Sequence, residues 1–221
     1  MKAMILAAGR GERLRPLTDR VPKALLEVGG KPLLVRHLER LAAAGFREVV
    51  INVSHLTETI VSRIGEGGSF GLHIIYSKEE EPLETAGGIA RAAPLLGADA
   101  FLLVNADIYC DFEFSAWRGF SLEKRLGHLL LVPNPRQHAA GDFSLVRGRV
   151  GNEGAPRYTY AGVALLSPSL VAGLRPLEKA PLAPLLRSAA AEGRLSGELH
   201  QGLWHDAGTP ERLEELRAML R

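Results

Sequence analysis

The residues with the most chemistry to offer stand just past the first apolar run of the 221-residue chain. Leu6-Ala7-Ala8-Gly9-Arg10-Gly11-Glu12-Arg13-Leu14-Arg15-Pro16-Leu17-Thr18 is followed shortly by Val21-Pro22-Lys23. Ala7, Ala8, Gly9 and Gly11 are small enough for backbone to approach a ligand closely, and their N–H groups can turn towards an anion. Arg10, Arg13, Arg15, Arg20 and Lys23 outnumber Glu12 and Asp19 across this loop. An apolar strand feeding a glycine loop with that charge is shaped for a polyphosphate. A dinucleotide fingerprint would need Gly or Ala at position 14, which is Leu, and a helix that Pro16 and Pro22 interrupt. A Walker loop, with four residues between its first glycine and a Gly-Lys-Ser/Thr run, is absent.

A second place for chemistry is Asn105-Ala106-Asp107, directly after the apolar run Phe101–Val104. The chain has only six aspartates, and Asp107 and Asp206 each close an apolar or aromatic stretch ahead of a turn. Carboxylates so placed suit Mg²⁺, which binds one or two of them together with substrate phosphates, or they simply cap a turn. Asp111 reads as a loop residue or an N-cap. A third place is Glu81-Pro82-Leu83-Glu84-Thr85-Ala86-Gly87-Gly88-Ile89. Its glycines permit close approach of a base or ribose to Glu84, Thr85 and Gly88; alternatively Thr85 caps a helix. Gly67-Gly68-Ser69-Phe70-Gly71 fits a nucleophile-elbow pattern, but a helix precedes it and a strand follows, which is the wrong context. The seven histidines lack metal-binding helix spacing, and Glu79–Glu81 reads as a solvated acidic run.

The elements that must position these residues show in the hydrophobic periodicity. Strand-like runs are Lys2–Leu6, Val49–Val53, Leu72–Tyr76, Phe101–Asn105, Leu129–Val132 and Tyr160–Leu166. Helical spacing joins Leu34, Leu38, Leu41 and Ala42, and again Leu182, Leu185, Leu186, Ala189 and Ala190. A last helix opens on Thr209 as N-cap and Pro210 as its first residue, burying Leu213, Leu216 and Leu220. This alternation predicts a single α/β domain over residues 1–221. Its sheet is Rossmann-like, mixed but mainly parallel, with helices on both faces and an antiparallel excursion over residues 127–166. Ligands of such sheets sit at the carboxyl ends of the strands, where all three candidate places fall.

Composition narrows the classes. With 27 basic against 25 acidic side chains the net charge is +2, too small for a general nucleic-acid surface. A single thiol, Cys110, excludes an internal disulfide and a Cys-rich zinc site. The N-terminal apolar run is too short for a signal-peptide core, and no window is apolar for eighteen residues. A soluble cytoplasmic protein is expected, with no nucleic-acid or membrane partner, as a monomer or small homo-oligomer.

The first loop resembles the signature of the sugar-1-phosphate nucleotidyltransferases: Gly9, Gly11, Arg13, Pro16, Thr18, Pro22 and Lys23 stand where that signature has them. Trp204-His205-Asp206-Ala207-Gly208-Thr209-Pro210 is similar to the family's closing motif. The resemblance implies a nucleoside triphosphate and a sugar 1-phosphate as substrates, pyrophosphate as product and Mg²⁺ as cofactor. It implies that Ala8, Gly9, Gly11, Glu12, Arg13, Lys23, Glu84, Thr85 and Gly88 bind the nucleotide. Arg13 and Lys23 would be catalytic, Arg13 on the departing β,γ-phosphates and Lys23 near the reacting centre. Asp107 and Asp206 would hold the metal, and Asn105, Asp142 and Gly162 would meet the acceptor. Glu81–Thr85 with Gly87-Gly88, Asn134-Pro135 and Gly141-Asp142-Phe143 look more like the branch that couples UTP to N-acetylmuramate 1-phosphate than the one that couples GTP to mannose 1-phosphate. Ala86 and Ala106 depart mildly from that pattern, standing where glycine is commoner. An acceptor of the first kind carries a carboxylate, for which Arg136, Arg147, Arg157 and Lys179 are the candidate cations. A nucleotide-binding regulatory module without turnover and a nicotinamide dehydrogenase are the competing classes; the first would not need two metal carboxylates, and the second lacks its third glycine.

Overall fold

A computed structural model describes residues 1–221. The apolar run at the N-terminus forms β1 (Ala3–Leu6), after which three 3-10 turns, Glu12–Leu14, Leu17–Asp19 and Lys23–Leu25, take the place of a helix. Pro16 and Pro22 precede the second and third of these, as expected of residues that deny a helix its backbone donor. A hairpin of β2 (Glu27–Val28) and β3 (Lys31–Pro32) leads into α1 (Leu33–Ala43), whose apolar stripe buries Leu34, Leu38 and Leu41. Strand–helix alternation continues through β4 (Glu48–Val53), α2 (Thr57–Ile64), β5 (His73–Lys78), α3 (Glu84–Leu96) and β6 (Phe101–Asn105).

Beyond β6 strands follow one another with few helices between them. β7 (Ile108–Cys110), β8 (Gly127–Val132), β9 (Phe143–Val146), β10 (Arg149–Gly151) and β11 (Arg157–Leu166) come first. Then follow α4 (Leu182–Ala191), β12 (Leu195–Leu199), β13 (Trp204–Asp206) and α5 (Pro210–Met219). Nine strands form one sheet in the order β5-β4-β1-β6-β11-β8-β12-β10-β9. All of them run one way except β10 and β11, which lie antiparallel to every neighbour they pair with. The carboxyl ends of β1, β4, β5 and β6 therefore open on the same edge.

Alternate residues of β1 feed opposite faces. Ala3 and Ile5 join Leu34, Leu38, Leu41, Ile60 and Ile64 beneath α1 and α2, whereas Met4 joins Ile89, Leu96, Leu182 and Leu186 beneath α3 and α4. Each fully buried Leu or Ile contributes about 1.5–3 kcal/mol, so the two layers hold the sheet from both sides. A third, smaller cluster joins Leu14 of the first loop to Leu26, Val28 and Leu33, and to Ala207, Leu213 and Leu216 near the C-terminus. Thr209 caps α5 as the sequence predicts, accepting the Arg212 N–H, but Leu220 is only partly buried. The Gly67–Gly71 segment is a 3-10 turn between α2 and β5, so it is no elbow.

Candidate active site

The first loop lines a cleft of about 860 Å³ at the carboxyl edge of the sheet. Ala8, Gly9, Gly11, Glu12, Arg13 and Lys23 stand on its wall, and Glu84, Thr85, Asn105 and Asp107 face them from other segments. Gly11 has φ +65, and a Cβ there would come within 2.8 Å of Thr18 Cγ2. Thr18, buried, donates its hydroxyl to the Gly11 carbonyl at 2.8 Å and so pins the curl of the loop. Gly9 has nothing within 4 Å of its missing side chain, which leaves its backbone open to a ligand.

Asp107 lies in the turn between β6 and β7, and its carboxylate forms an ion pair with Lys23 Nζ. Asp206 ends a strand outside the main sheet. It closes β13, which pairs antiparallel with β7 in a separate two-stranded ribbon that sets Asp206 opposite Ile108. The Ala207 N–H donates to the Asp107 carbonyl at 2.8 Å, so the ribbon brings the two backbones side by side. Asp206 accepts from Arg212 Nη1 and from the Gly208 N–H, each at 2.8 Å. Both aspartates are hard oxygen donors already balanced by a cation, a donor set suited to a divalent metal shared with phosphate oxygens.

A buried relay that the sequence does not reveal braces the opposite wall. The Ala7 N–H donates to Asn52 Oδ1 at 2.8 Å, Asn52 Nδ2 donates to Glu79 Oε1 at 2.8 Å, and Glu79 Oε2 accepts the Leu83 N–H at 2.9 Å. Glu79 is 5% exposed, so the expectation of a solvated acidic run fails at this residue. Gly88 does not line the cleft. It packs against the relay, where a Cβ would stand 2.7 Å from Asn52 Nδ2 and 2.8 Å from Glu79 Oε1. Gly87 is likewise filled from behind, since a Cβ would run into the Glu178 carbonyl, and the N–H groups of Ala86 and Gly87 both donate to the Ala180 carbonyl. The glycine pair therefore serves close packing of α3 rather than an open approach to a base. Thr85 is not the N-cap; Leu83 holds that position. Glu84 enters α3 at φ +61, a left-handed backbone that costs a non-glycine residue of order 1–3 kcal/mol, at the cleft wall.

Towards the antiparallel side, Gly162 has φ +77 and lies in the irregular stretch of β11, opposite Asn105. A Cβ there would come 2.7 Å from Asn105 Nδ2, so the glycine makes room for that amide. Asp142 accepts the Tyr160 N–H at 2.8 Å, and its other oxygen bonds His138 Nε2 at 3.0 Å. A second cleft, of about 1130 Å³, opens beyond Arg13 and is lined by Arg13, Arg136, His138, Asp206 and Arg212 among others. Sequence spacing also misses a trio at the end of β7, where ligand atoms of Cys110, Asp111 and His200 lie within 4.8 Å of one another. Burial pushes the Cys110 thiol up to about 11. Desolvation also raises Asp111, but bonds from the Leu203 backbone and from His200, at 2.6 Å, outweigh it and hold the carboxyl below its usual range. Together with the Asp111 N–H bond to the Leu203 carbonyl, the trio clasps the segment that leads into β13.

The family described as Nucleotidyl transferase matches residues 2–143. N-acetylmuramate alpha-1-phosphate uridylyltransferase of Neisseria meningitidis serogroup B is 48% identical over 228 residues, spanning 99% of this chain and 98% of that one. The chain belongs to the nucleotidyl transferase family. Enzymes of this family join a nucleoside triphosphate to a sugar 1-phosphate and generally use a divalent metal. A Caulobacter vibrioides protein of the same name as the Neisseria one is 34% identical over 229 residues, covering 95% of this chain and 92% of its own. Mannose-1-phosphate guanyltransferase of Yarrowia lipolytica is 31% identical, but the match spans only 61% of that longer protein. A Bacillus anthracis protein crystallised with sucrose superposes with a TM-score of 0.89 at 22% identity, covering 100% of this chain and 95% of its own, which shows the shared fold. No helix is long and apolar enough to cross a membrane.

Proposed function

We propose that residues 1–221 act as one cytoplasmic nucleotidyltransferase domain that transfers the uridylyl group of UTP to N-acetylmuramate 1-phosphate and releases pyrophosphate. The observation that carries the choice of substrates is the 48% identity to a uridylyltransferase of that name over essentially the whole of both chains. The Ala8–Arg13 backbone curls round the triphosphate, Arg13 draws charge off the departing β,γ-phosphates, and Lys23 bridges phosphates at the reacting centre. Glu84 and Thr85 face the nucleoside from the start of α3, with Gly88 holding that helix against the relay. Asn105, Asp142 and Gly162 form the acceptor end. The attacking phosphate oxygen is already anionic, so no general base is required. The protein's work is alignment and charge neutralisation.

Asp107 and Asp206 would hold Mg²⁺, which when bound supplies positive charge to the reacting phosphates. Lys23 pairs with Asp107 and Arg212 with Asp206. The substrates are tested by pyrophosphate release from a matrix of UTP, GTP, dTTP and ATP against N-acetylmuramate, N-acetylglucosamine, glucose and mannose 1-phosphates. UTP with N-acetylmuramate 1-phosphate should give the highest kcat/KM; dominance of GTP with mannose 1-phosphate refutes the assignment. Asp107→Asn and Asp206→Asn should each raise the Mg²⁺ concentration needed for half-maximal rate, and full activity of the wild type in EDTA would remove the metal from the reading.

A further inference from the structure

The second cleft holds more positive charge than the phosphates of the first require. Arg212 is committed to Asp206 at 2.8 Å, His205 to Glu215 at 3.1 Å and His138 to Asp142 at 3.0 Å. Arg13 lines both clefts and belongs to the phosphate loop. Arg136 is the cation left over: it lines the second cleft, is exposed, and has neither an ion-pair nor a hydrogen-bond partner for its guanidinium.

We propose that Arg136 is the specificity-determining residue that receives the acceptor's carboxylate, and that the second cleft seats the carboxylate-bearing end of the acceptor. This deepens the proposed reaction and rests on its choice of an acidic acceptor. Placement supports it. Arg136–His138 form one 3-10 turn whose other two residues touch the proposed metal ligand and the acceptor end: Gln137 Nε2 reaches Asp206 Oδ2 at 3.4 Å, and His138 holds Asp142. The turn is fixed from behind by Asn134, which donates to the Ala139 carbonyl at 3.0 Å and the Arg157 carbonyl at 3.1 Å and accepts from Thr159 Oγ1 at 3.0 Å. Arg136 thus stands on a braced turn one or two residues from groups that meet the metal ligand and the acceptor.

The other cations are excluded by their surroundings. The Arg157 guanidinium is spent on the carbonyls of Ala140, Asp142 and Asn152. Arg147 sits at φ +51 in the turn between β9 and β10, in neither cleft. Lys179 lines the first cleft beside Glu84 and Thr85 and faces Glu81 at 4.0 Å, on the nucleoside side. An arginine also suits the task, since its planar fork binds a carboxylate through two parallel N–H bonds.

The test compares wild type, Arg136→Ala and Arg136→Lys with UTP on N-acetylmuramate 1-phosphate and on N-acetylglucosamine 1-phosphate, which differ by the lactyl ether that carries the carboxylate. Arg136→Ala should lower kcat/KM for the acidic acceptor roughly 10–100-fold, the scale of a charge-assisted pair, while the neutral acceptor changes by less than about 3-fold. Arg136→Lys should keep part of the preference. In the reverse reaction the KM for pyrophosphate should not move, and because the side chain is exposed the melting temperature should not either. Equal losses on both acceptors, or a raised KM for pyrophosphate, would make Arg136 a phosphate ligand and overturn the assignment. So would a selective loss in Lys179→Ala with Arg136→Ala unaffected. A wild type that turns over only neutral acceptors overturns the acidic-acceptor reading itself, an outcome separate from a preference that persists in Arg136→Ala.

Discussion

Replacing Glu79 by Gln changes one atom type and should still loosen the whole cleft. The relay through Ala7, Asn52, Glu79 and Leu83 runs from N–H donors at both ends. Asn52 must turn its oxygen to Ala7, so its amide nitrogen points at residue 79. Leu83 points an N–H at the same side chain. Residue 79 must therefore accept twice, once on each terminal atom, which a carboxylate does and an amide cannot. The amide in Glu79→Gln leaves one donor facing another whichever way it is flipped, and flipping Asn52 only moves the conflict to Ala7. Asn52 is 2% exposed and Glu79 5%, so water does not relieve the mismatch. An unsatisfied buried donor costs about 1–3 kcal/mol. For a chain of this length each kcal/mol lowers the melting temperature by about 2–4 °C, so Glu79→Gln should lose roughly 4–8 °C near the middle of that range. Calorimetry at neutral pH measures it, with exposed Glu80→Gln as a control that should stay within about 0.5 kcal/mol of wild type. Because Ala7 lines the cleft, the KM for UTP should rise in parallel. A Glu79→Gln protein that melts within a degree of wild type would refute the two-acceptor argument.

Lys23→Ala and Arg13→Ala should each lower kcat by about 10²–10³, the effect of removing one preorganised electrostatic stabiliser, with little change in melting; near-normal rates would take that residue out of the mechanism. Gly87→Ala drives a Cβ against the backbone carbonyl of Glu178, which no rotamer relieves, and should cost about 1–3 kcal/mol in a urea melt; an unchanged midpoint would show that the 178–180 segment yields. His37 is 3% exposed, and burial, aided by Arg40 and opposed by a bond to the Ile108 backbone and by Asp107, lowers its pKa to about 4 from the usual 6.5. Between those values the unfolded chain binds a proton that the native state refuses. The His37 contribution to stability is therefore fully present above about pH 6.5 and declines by about 1.4 kcal/mol per unit towards pH 4, about 3–4 kcal/mol in all. His37→Met should flatten that slope and cost little at pH 7.5, whereas an unchanged acid limb would assign the loss to other groups.

The parts of the candidate site legible in the sequence are those in which a single segment supplies the cleft-lining residues. Gly9, Gly11, Arg13 and Lys23 lie within one short loop, and both their charge and their inability to form a helix are local properties. Asn105 and Asp107 follow directly from the end of a strongly apolar strand. The relay is different. Asn52 looks like an interruption of a buried strand and Glu79 like one of three acidic residues, and only the parallel register of β4 with β1 and β5 brings the first between Ala7 and the second. The short ribbon is hidden for another reason: Ile108-Tyr109-Cys110 and Trp204-His205-Asp206 are too brief to show a period of two. The glycine pair of α3 misleads because small residues signal close approach without naming what approaches; here it is Asn52, Glu79 and Glu178.

The third apolar cluster explains how segments from opposite ends of the chain meet at the proposed site. Leu14 follows Arg13 directly and Ala207 follows Asp206, and both side chains are fully buried in the same cluster with Leu213 and Leu216 of α5. Each functional side chain is thus anchored by an apolar neighbour one residue along, at no cost in exposed hydrophobic surface. The Thr209 cap starts α5 three residues after Asp206, so Arg212, one turn into the helix, reaches back to the carboxylate at 2.8 Å. On the other side the backbone bond from Ala207 to Asp107 ties the same segment to the end of β6. The closing helix is therefore part of the framework of the proposed site: it packs against the first loop, orients Asp206 and supplies the cation that balances it.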